Sequence, residues 1–231
     1  MVYIAIIGDV IDSKKLTTRS AVQDSLRLVL DDLNQVYADS LVSPFTLTLG
    51  DEFQALLHPH ASVFQMIDSI RIKLYPVTIR FGIGIGEIVT AINPLRSIGA
   101  DGPAYWNARS AIAYVHDKND YGVTNIRVSI GDSSSENDQL VNAVLAMGEF
   151  IYAKWTDKHR DMLKVLLETK QYDEWFSHQE LARHLGIEPS GLTKRLKASG
   201  LKVYLRGRKQ IGEQIQAWCR QSKMEGTNGT I

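Results

Sequence analysis

The stretch LTLGDEFQAL, residues 47–56, sets the register for the rest of the chain. Apolar residues alternate at Leu47 and Leu49 and again at Phe53 and Ala55, with Gly50, Asp51 and Glu52 between them. Period-two alternation on both sides of a Gly-Asp step predicts two strands joined by a tight turn. Two carboxylates on such a turn have two readings. Asp tolerates turn geometry, so the pair can be a solvated hairpin tip; it can equally be one half of a metal site. A metal site needs a second carboxylate that the fold brings to the same place.

Working outward, residues 2–7 predict a strand, and 17–39 predict a helix with Val22, Leu26, Val29, Leu30, Leu33, Val36 and Tyr37 at helical spacing. After the hairpin, Val63, Phe64, Ile67 and Ile70 mark an amphipathic helix bounded by Pro59 and Pro76. Residues 77–89 alternate as a strand that sets Gly82, Gly84 and Gly86 on one face. Glycines so placed mark close approach by a ligand or by another backbone. A helix over 104–116, a strand over 126–130 and a helix over 137–152 follow. The order βαββαβ is the ferredoxin-like or split βαβ arrangement, an α+β fold with helices expected on one face of an antiparallel sheet. Its first strand is central and ends at the edge where the hairpin turns, so Asp9 and Asp51 are expected to converge. Those two carboxylates with the Val10 carbonyl suffice for Mg²⁺ or Mn²⁺ when waters and phosphates supply the remaining oxygens.

Composition fits a soluble globular protein: 231 residues, 44% hydrophobic and 23% charged. The single cysteine, Cys219, excludes an internal disulfide framework and fits a reducing, cytoplasmic setting. The opening MVYIAIIGDVIDSKK lacks a basic run before its apolar segment and reads as a buried strand rather than a signal peptide. No apolar stretch reaches the ~18 residues that span a bilayer. The formal net charge of +0 conceals a split: residues 1–153 hold 11 Lys+Arg against 17 Asp+Glu, and residues 154–231 hold 15 against 9. A boundary is therefore expected near 153/154, separating an acidic α/β part from a basic all-α part over 154–223, with 224–231 as a disordered tail.

In the basic part, WFSHQELARHLGIEPSGLTKRLKASGL predicts a helix-turn-helix. Leu181, Ala182 and Leu185 form its inner face, Gly186 and Ile187 the turn, and Leu192, Leu196 and Ala198 seat the second helix. Ser190, Thr193, Lys194 and Lys197 then point outward, where the second helix of such a motif enters the major groove of duplex DNA. Residues 189–209 contain seven Lys+Arg and no acid, which supplies phosphate-neutralising charge. VYLRGRKQ reads as a short wing or loop presenting Arg206, Arg208 and Lys209 to the DNA backbone. The alternative is a helical scaffold for protein contacts. The four tryptophans, Trp106, Trp155, Trp175 and Trp218, are assigned to core or interdomain packing.

The segments IIGDVIDS, TLGDEFQAL and IRFGIGIGEIV resemble the metal-binding segment, the metal-carboxylate hairpin and the following strand of the palm-type nucleotidyl cyclase fold, shared by class III adenylate and guanylate cyclases and diguanylate cyclases. The resemblance covers residues 2–131. It implies Asp9, Asp51 and Arg109 as catalytic residues, and Asp12, Lys14, Lys15, Gly50, Glu52 and Arg109 as contacts to a nucleoside triphosphate. One position departs: where the cyclases carry Asn four residues before the phosphate-binding Arg, this chain has Tyr105. Together with DGPAYWNAR and the C-terminal helix-turn-helix, these motifs are similar to the SatD family. That resemblance implies a cytoplasmic regulator in which a cyclase-like domain senses nucleotide or dimerises a DNA-binding domain. A homodimer is expected by analogy. The competing function is an active nucleotidyl cyclase or nucleotidyltransferase, and a third reading is a metal-free scaffold.

Overall fold

A computed structural model describes residues 1–13, 19–48, 50–131 and 136–225, the last five as backbone alone. The elements are β1 (Val2–Val10), α1 (Arg19–Val36), β2 (Leu41–Leu47), β3 (Glu52–Leu57), α2 (Val63–Leu74), β4 (Ile79–Glu87), α3 (Pro103–Asp117), β5 (Ile126–Ser129), α4 (Glu136–Ala153), α5 (Asp157–Glu168), α6 (His178–His184), α7 (Pro189–Ser199) and α8 (Leu201–Glu225). The sheet order is β2-β3-β1-β4-β5. β1 lies antiparallel between β3 and β4, and the first four strands take the split βαβ order. β5 then joins β4 in parallel, so the sheet is mixed, not wholly antiparallel as expected.

The sheet is covered on both faces, which corrects the one-sided arrangement. Ile4, Ile6 and Val10 of β1 pack into a core with Leu26, Leu30 and Leu33 of α1 and Phe64 and Ile67 of α2. Ala5 and Ile7 point the other way and meet Ala104, Tyr105 and Ala108 of α3. The glycine face of β4 explains how α3 fits. A Cβ at Gly82 would lie 2.2 Å from the Ala108 carbonyl oxygen, and one at Gly84 would lie 2.0 Å from the Ala104 oxygen. Helix backbone therefore rests directly on strand backbone, so the three glycines mark a second backbone rather than a ligand.

The C-terminal helices build their own core and also return to the sheet. Met162, Leu163 and Leu166 of α5, Leu181 of α6, and Leu192 and Leu196 of α7 pack with Leu201, Tyr204 and Leu205 at the start of α8. Further along α8, Ile211, Ile215, Trp218 and Cys219 join the sheet core. The inward period of three and four runs through this helix, with Arg208 in the buried position between Leu205 and Ile211, so VYLRGRKQ is not a wing or loop: it lies inside a 25-residue helix. Met224 and Glu225, expected in the tail, are its last residues, and 226–231 lie outside the described residues. Among the described residues no helix is long and apolar enough to cross a membrane. Trp155 and Trp218 are buried as expected, whereas Trp106 and Trp175 are exposed.

A buried charged network locks α8 to the α/β layer. Arg208 is 3% exposed; its Nη2 donates to Glu149 Oε1 of α4 at 3.0 Å and to the Tyr204 hydroxyl at 2.7 Å. Arg71 of α2 grips the same Glu149 through both terminal nitrogens, at 2.7 and 3.2 Å. The Tyr172 and Tyr204 hydroxyls donate to the two oxygens of buried Asp68 at 2.6 and 2.7 Å. Two arginines thus face two carboxylates, which balances the buried charge, while Arg208 Nε and Nη1 have no hydrogen-bond partner among the described residues. Arg208 is consequently not a DNA-backbone contact, because its guanidinium is enclosed by this network.

Candidate functional site

Strand register assembles the site. Asp9 of β1 is the partner of Glu52 in β3 and of Arg80 in β4, so Glu52, Asp9 and Arg80 form one row across three strands. Cross-strand partners share a face. Asp9 alternates with Ile7 and Arg80 with Gly82, so that face is the one α3 covers. Arg80 Nη1 donates to Asp9 Oδ2 at 3.0 Å. The turn brings Asp51 alongside, with its carbonyl oxygen accepting from Val10 N at 3.2 Å. Gly50 supplies the left-handed turn position, φ 71°.

Three acidic residues therefore lie at one end of the sheet, Asp9 and Glu52 in one row and Asp51 on the turn beside Ser13. Burial raises the Asp9 carboxyl above its usual range; Arg80 opposes this, and Asp51 and Glu52 add to it. A site that disfavours its own negative charge gains by taking up a cation. Several residues that the sequence motifs did not single out help to build it. The Ser13 hydroxyl donates to Asp51 Oδ2. Thr48 Oγ1 donates to Glu52 Oε1 at 3.2 Å. Arg19, the first residue of α1, reaches the turn: a Cβ built on Gly50 would lie 3.6 Å from its Nη2. Only Arg80 had a signal in the sequence, as the residue two before the glycine face.

The other expected contacts sort unevenly. Arg109 projects from α3 with 60% of its side chain exposed, and its Nη2 lies 3.7 Å from Glu52 Oε1, so it belongs to the site's rim. Asp12 is exposed beside Ser13 with φ 55°. Lys14 and Lys15 lie outside the described residues. Tyr105 is buried in the core between α3 and the sheet, where burial pushes its hydroxyl up to about 12. Asn107, two residues on, holds the Ile85 carbonyl at 2.8 Å and so is committed to strand β4.

In the C-terminal part, α6 is capped by Ser177, whose hydroxyl accepts from Glu180 N, and α7 begins at Pro189 and is capped by left-handed Gly200. Ser190, Thr193, Lys194 and Lys197 are exposed along α7 while Leu192 and Leu196 are buried. Ala198, expected inside, is exposed, and Ser199 is buried in its place. Arg206 pairs with Glu174 at 2.7 Å and Lys209 with Asp173 at 2.7 Å, so both cations of the supposed wing have acidic partners.

A family model described as the SatD family matches residues 3–215. The chain belongs to the SatD family. No curated protein matches it. Among solved structures it is similar to a bacterial light-regulated adenylyl cyclase, at 14% identity and a TM-score of 0.41, over 55% of this chain and 74% of that one. It is also similar to the catalytic core of a rhodopsin-guanylyl cyclase with converted specificity in complex with ATPαS, at 16% identity and a TM-score of 0.33, over 47% and 70%.

The strand-end donors of this SatD-family protein suit one kind of cation. Among the described residues no group of three or more His, Cys, Asp or Glu forms a metal cage. Asp9 and Asp51 each give one oxygen to a protein donor, Arg80 and Ser13 respectively. What is left is a small set of hard oxygens, one on each of the two carboxylates. This fits Mg²⁺ or Mn²⁺ that keeps its waters and shares phosphate oxygens, and does not fit a dedicated all-protein site.

Proposed function

We propose that this SatD-family protein binds a nucleoside triphosphate with a divalent cation at the β1 end and the β2–β3 turn, and that its chemistry is nucleotidyl cyclisation or transfer. The observation that supports this is the row Glu52–Asp9–Arg80 with Asp51 bonded through its backbone to Val10. Asp9 and Asp51 hold the cation. Arg80 fixes the Asp9 carboxylate through Oδ2. Arg109, loosely tied to Glu52 and largely exposed, swings to the phosphates, where a guanidinium binds two oxygens at once. A divalent cation held there would supply Lewis-acid activation of an attacking hydroxyl and neutralise phosphate charge. With Tyr105 in the core and Asn107 held by β4, neither joins Arg109 on the phosphate, so turnover is expected to be slow.

The test is pyrophosphate release from each of the four triphosphates with Mg²⁺ or Mn²⁺. Release that Asp9→Asn and Asp51→Asn both abolish supports transfer. Triphosphate binding without release reduces the site to a nucleotide sensor, and release unaffected by either variant contradicts the assignment.

The second reading, a DNA-binding regulator with α6 and α7 as its helix-turn-helix, is favoured by the exposed row Ser190, Thr193, Lys194 and Lys197. Its contacts are confined to α7, because Arg206 and Lys209 are ion-paired and Arg208 is buried. Lys194→Ala and Lys197→Ala should each weaken duplex DNA binding by roughly 1–3 kcal/mol if they reach base edges. Fluorescence anisotropy at low salt measures this, and no binding by the intact chain would exclude the regulator. The thiol of Cys219, buried and pushed up to about 11, is inert, in keeping with a structural role in either reading.

A further inference from the structure

Helix α4 shows solvent a face that solvent does not explain. Its exposed stripe is Glu136, Leu140, Ala143, Met147 and Phe150, closing with Lys154 just past the helix end. The steps of four and three keep these six positions on one side, since such a repeat drifts only ~20° per heptad. Leu140, Met147 and Phe150 are 65%, 68% and 52% exposed. Asp138 and Glu149, the other charged residues of α4, are buried, so no exposed charge interrupts the stripe between its ends. A contiguous apolar row left exposed in this way marks a surface that meets another element.

The stripe is also its own complement. Reversed about Leu145, it places Glu136 on Lys154, Leu140 on Phe150 and Ala143 on Met147. Acid meets base at both ends and apolar meets apolar between them. Beside it runs an apolar groove of about 260 Å³ between α4 and α8, walled by Val203, which is 57% exposed, and floored by Gly148 and Gly207. A two-fold contact needs one patch that satisfies itself.

We propose that two copies of this chain associate through α4, antiparallel, about a two-fold axis that crosses the stripe between Ala143 and Met147, independently of either reading of the strand-end site. Each copy's Met147 covers the other's apolar stripe, and Lys154, whose ammonium rests 3.8 Å from the Phe150 ring centre, turns to Glu136 of the other copy so that two such pairs close the rim. The partner is a second copy because the charge pattern matches the helix to its own reverse.

Sedimentation velocity on the full chain, over about 1–100 µM, tests this. The wild type should sediment as a dimer at the upper end. Met147→Lys should raise the dissociation constant by about 30-fold or more, as loss of a central apolar anchor does, with an unchanged melting temperature in the monomer range. Glu136→Lys and Lys154→Glu should each weaken the dimer, and the double exchange should restore it, because only an antiparallel α4 pair brings the two positions together. A wild type that stays monomeric at the upper concentration overturns the proposal, as does a dimer indifferent to Met147→Lys. Failure of the double exchange to rescue overturns the antiparallel register.

Discussion

Arg208→Met should cost the protein much of its stability. The guanidinium has two bonds within 3.0 Å and lies 3.6 Å from Asp68, all with negligible solvent access. Its loss leaves Glu149 and Asp68 facing Arg71 alone, one net negative charge inside the protein. Removing one partner of a buried pair typically costs about 3–5 kcal/mol, because the charge left behind is uncompensated. For a chain of this size each kcal/mol moves the melting midpoint by roughly 2–4 °C, so a fall of about 6–20 °C is expected. Pairing it with Glu149→Gln should cost less than the two changes summed, since the second removes the charge the first exposes. Lys164→Met is the control: it and its partner Glu168 are both exposed, and the midpoint should stay put. Calorimetry of the four variants, Glu149→Gln alone among them, beside the wild type measures this. A midpoint for Arg208→Met within about 2 °C of the wild type would refute the argument, because a shift that small corresponds to under ~1 kcal/mol.

Other outcomes follow from the same packing. Gly84→Ala should destabilise by about 1–3 kcal/mol or more, because the new Cβ meets α3 backbone at 2.0 Å and no rotamer change relieves it. Gly191→Ala in α7, with nothing within 4 Å, should instead stabilise by about 0.5–1 kcal/mol in chemical denaturation. Burial raises the hydroxyls of Tyr172 and Tyr204 well above the ordinary 10.0. Their share of stability is full below pH 10 and lost as pH rises toward the folded values, so the urea midpoint should fall steadily above pH 10.

Much of this architecture was legible because apolar periodicity reports which side of an element is inside. The strands, the Gly50–Glu52 turn and the helices α1 to α4 each show it, and the convergence of Asp9 with the turn follows from strand order alone. The second face of the sheet escaped because three glycines fit a ligand as well as a helix, and only the position of Ala104 and Ala108 separates the two. Arg208 was misread for a different reason. Its countercharges, Asp68 and Glu149, lie 140 and 59 residues earlier, so locally it is one basic residue in a basic run. Ser13, Thr48 and Arg19 serve the site through single contacts that have no periodic signature.

The central claim is that Asp9 and Asp51 together hold a cation bearing a triphosphate. Isothermal titration of the intact chain with a non-hydrolysable ATP analogue and a GTP analogue, with and without Mg²⁺ or Mn²⁺, tests it directly. Saturable binding is expected only with the cation, lost in Asp9→Asn and in Asp51→Asn. It should weaken as pH falls, beginning above the ordinary Asp value of 3.8, because the raised Asp9 must be ionised to bind. Binding that is indifferent to the cation, or that survives in the Asp9→Asn, Asp51→Asn double variant, would contradict the account.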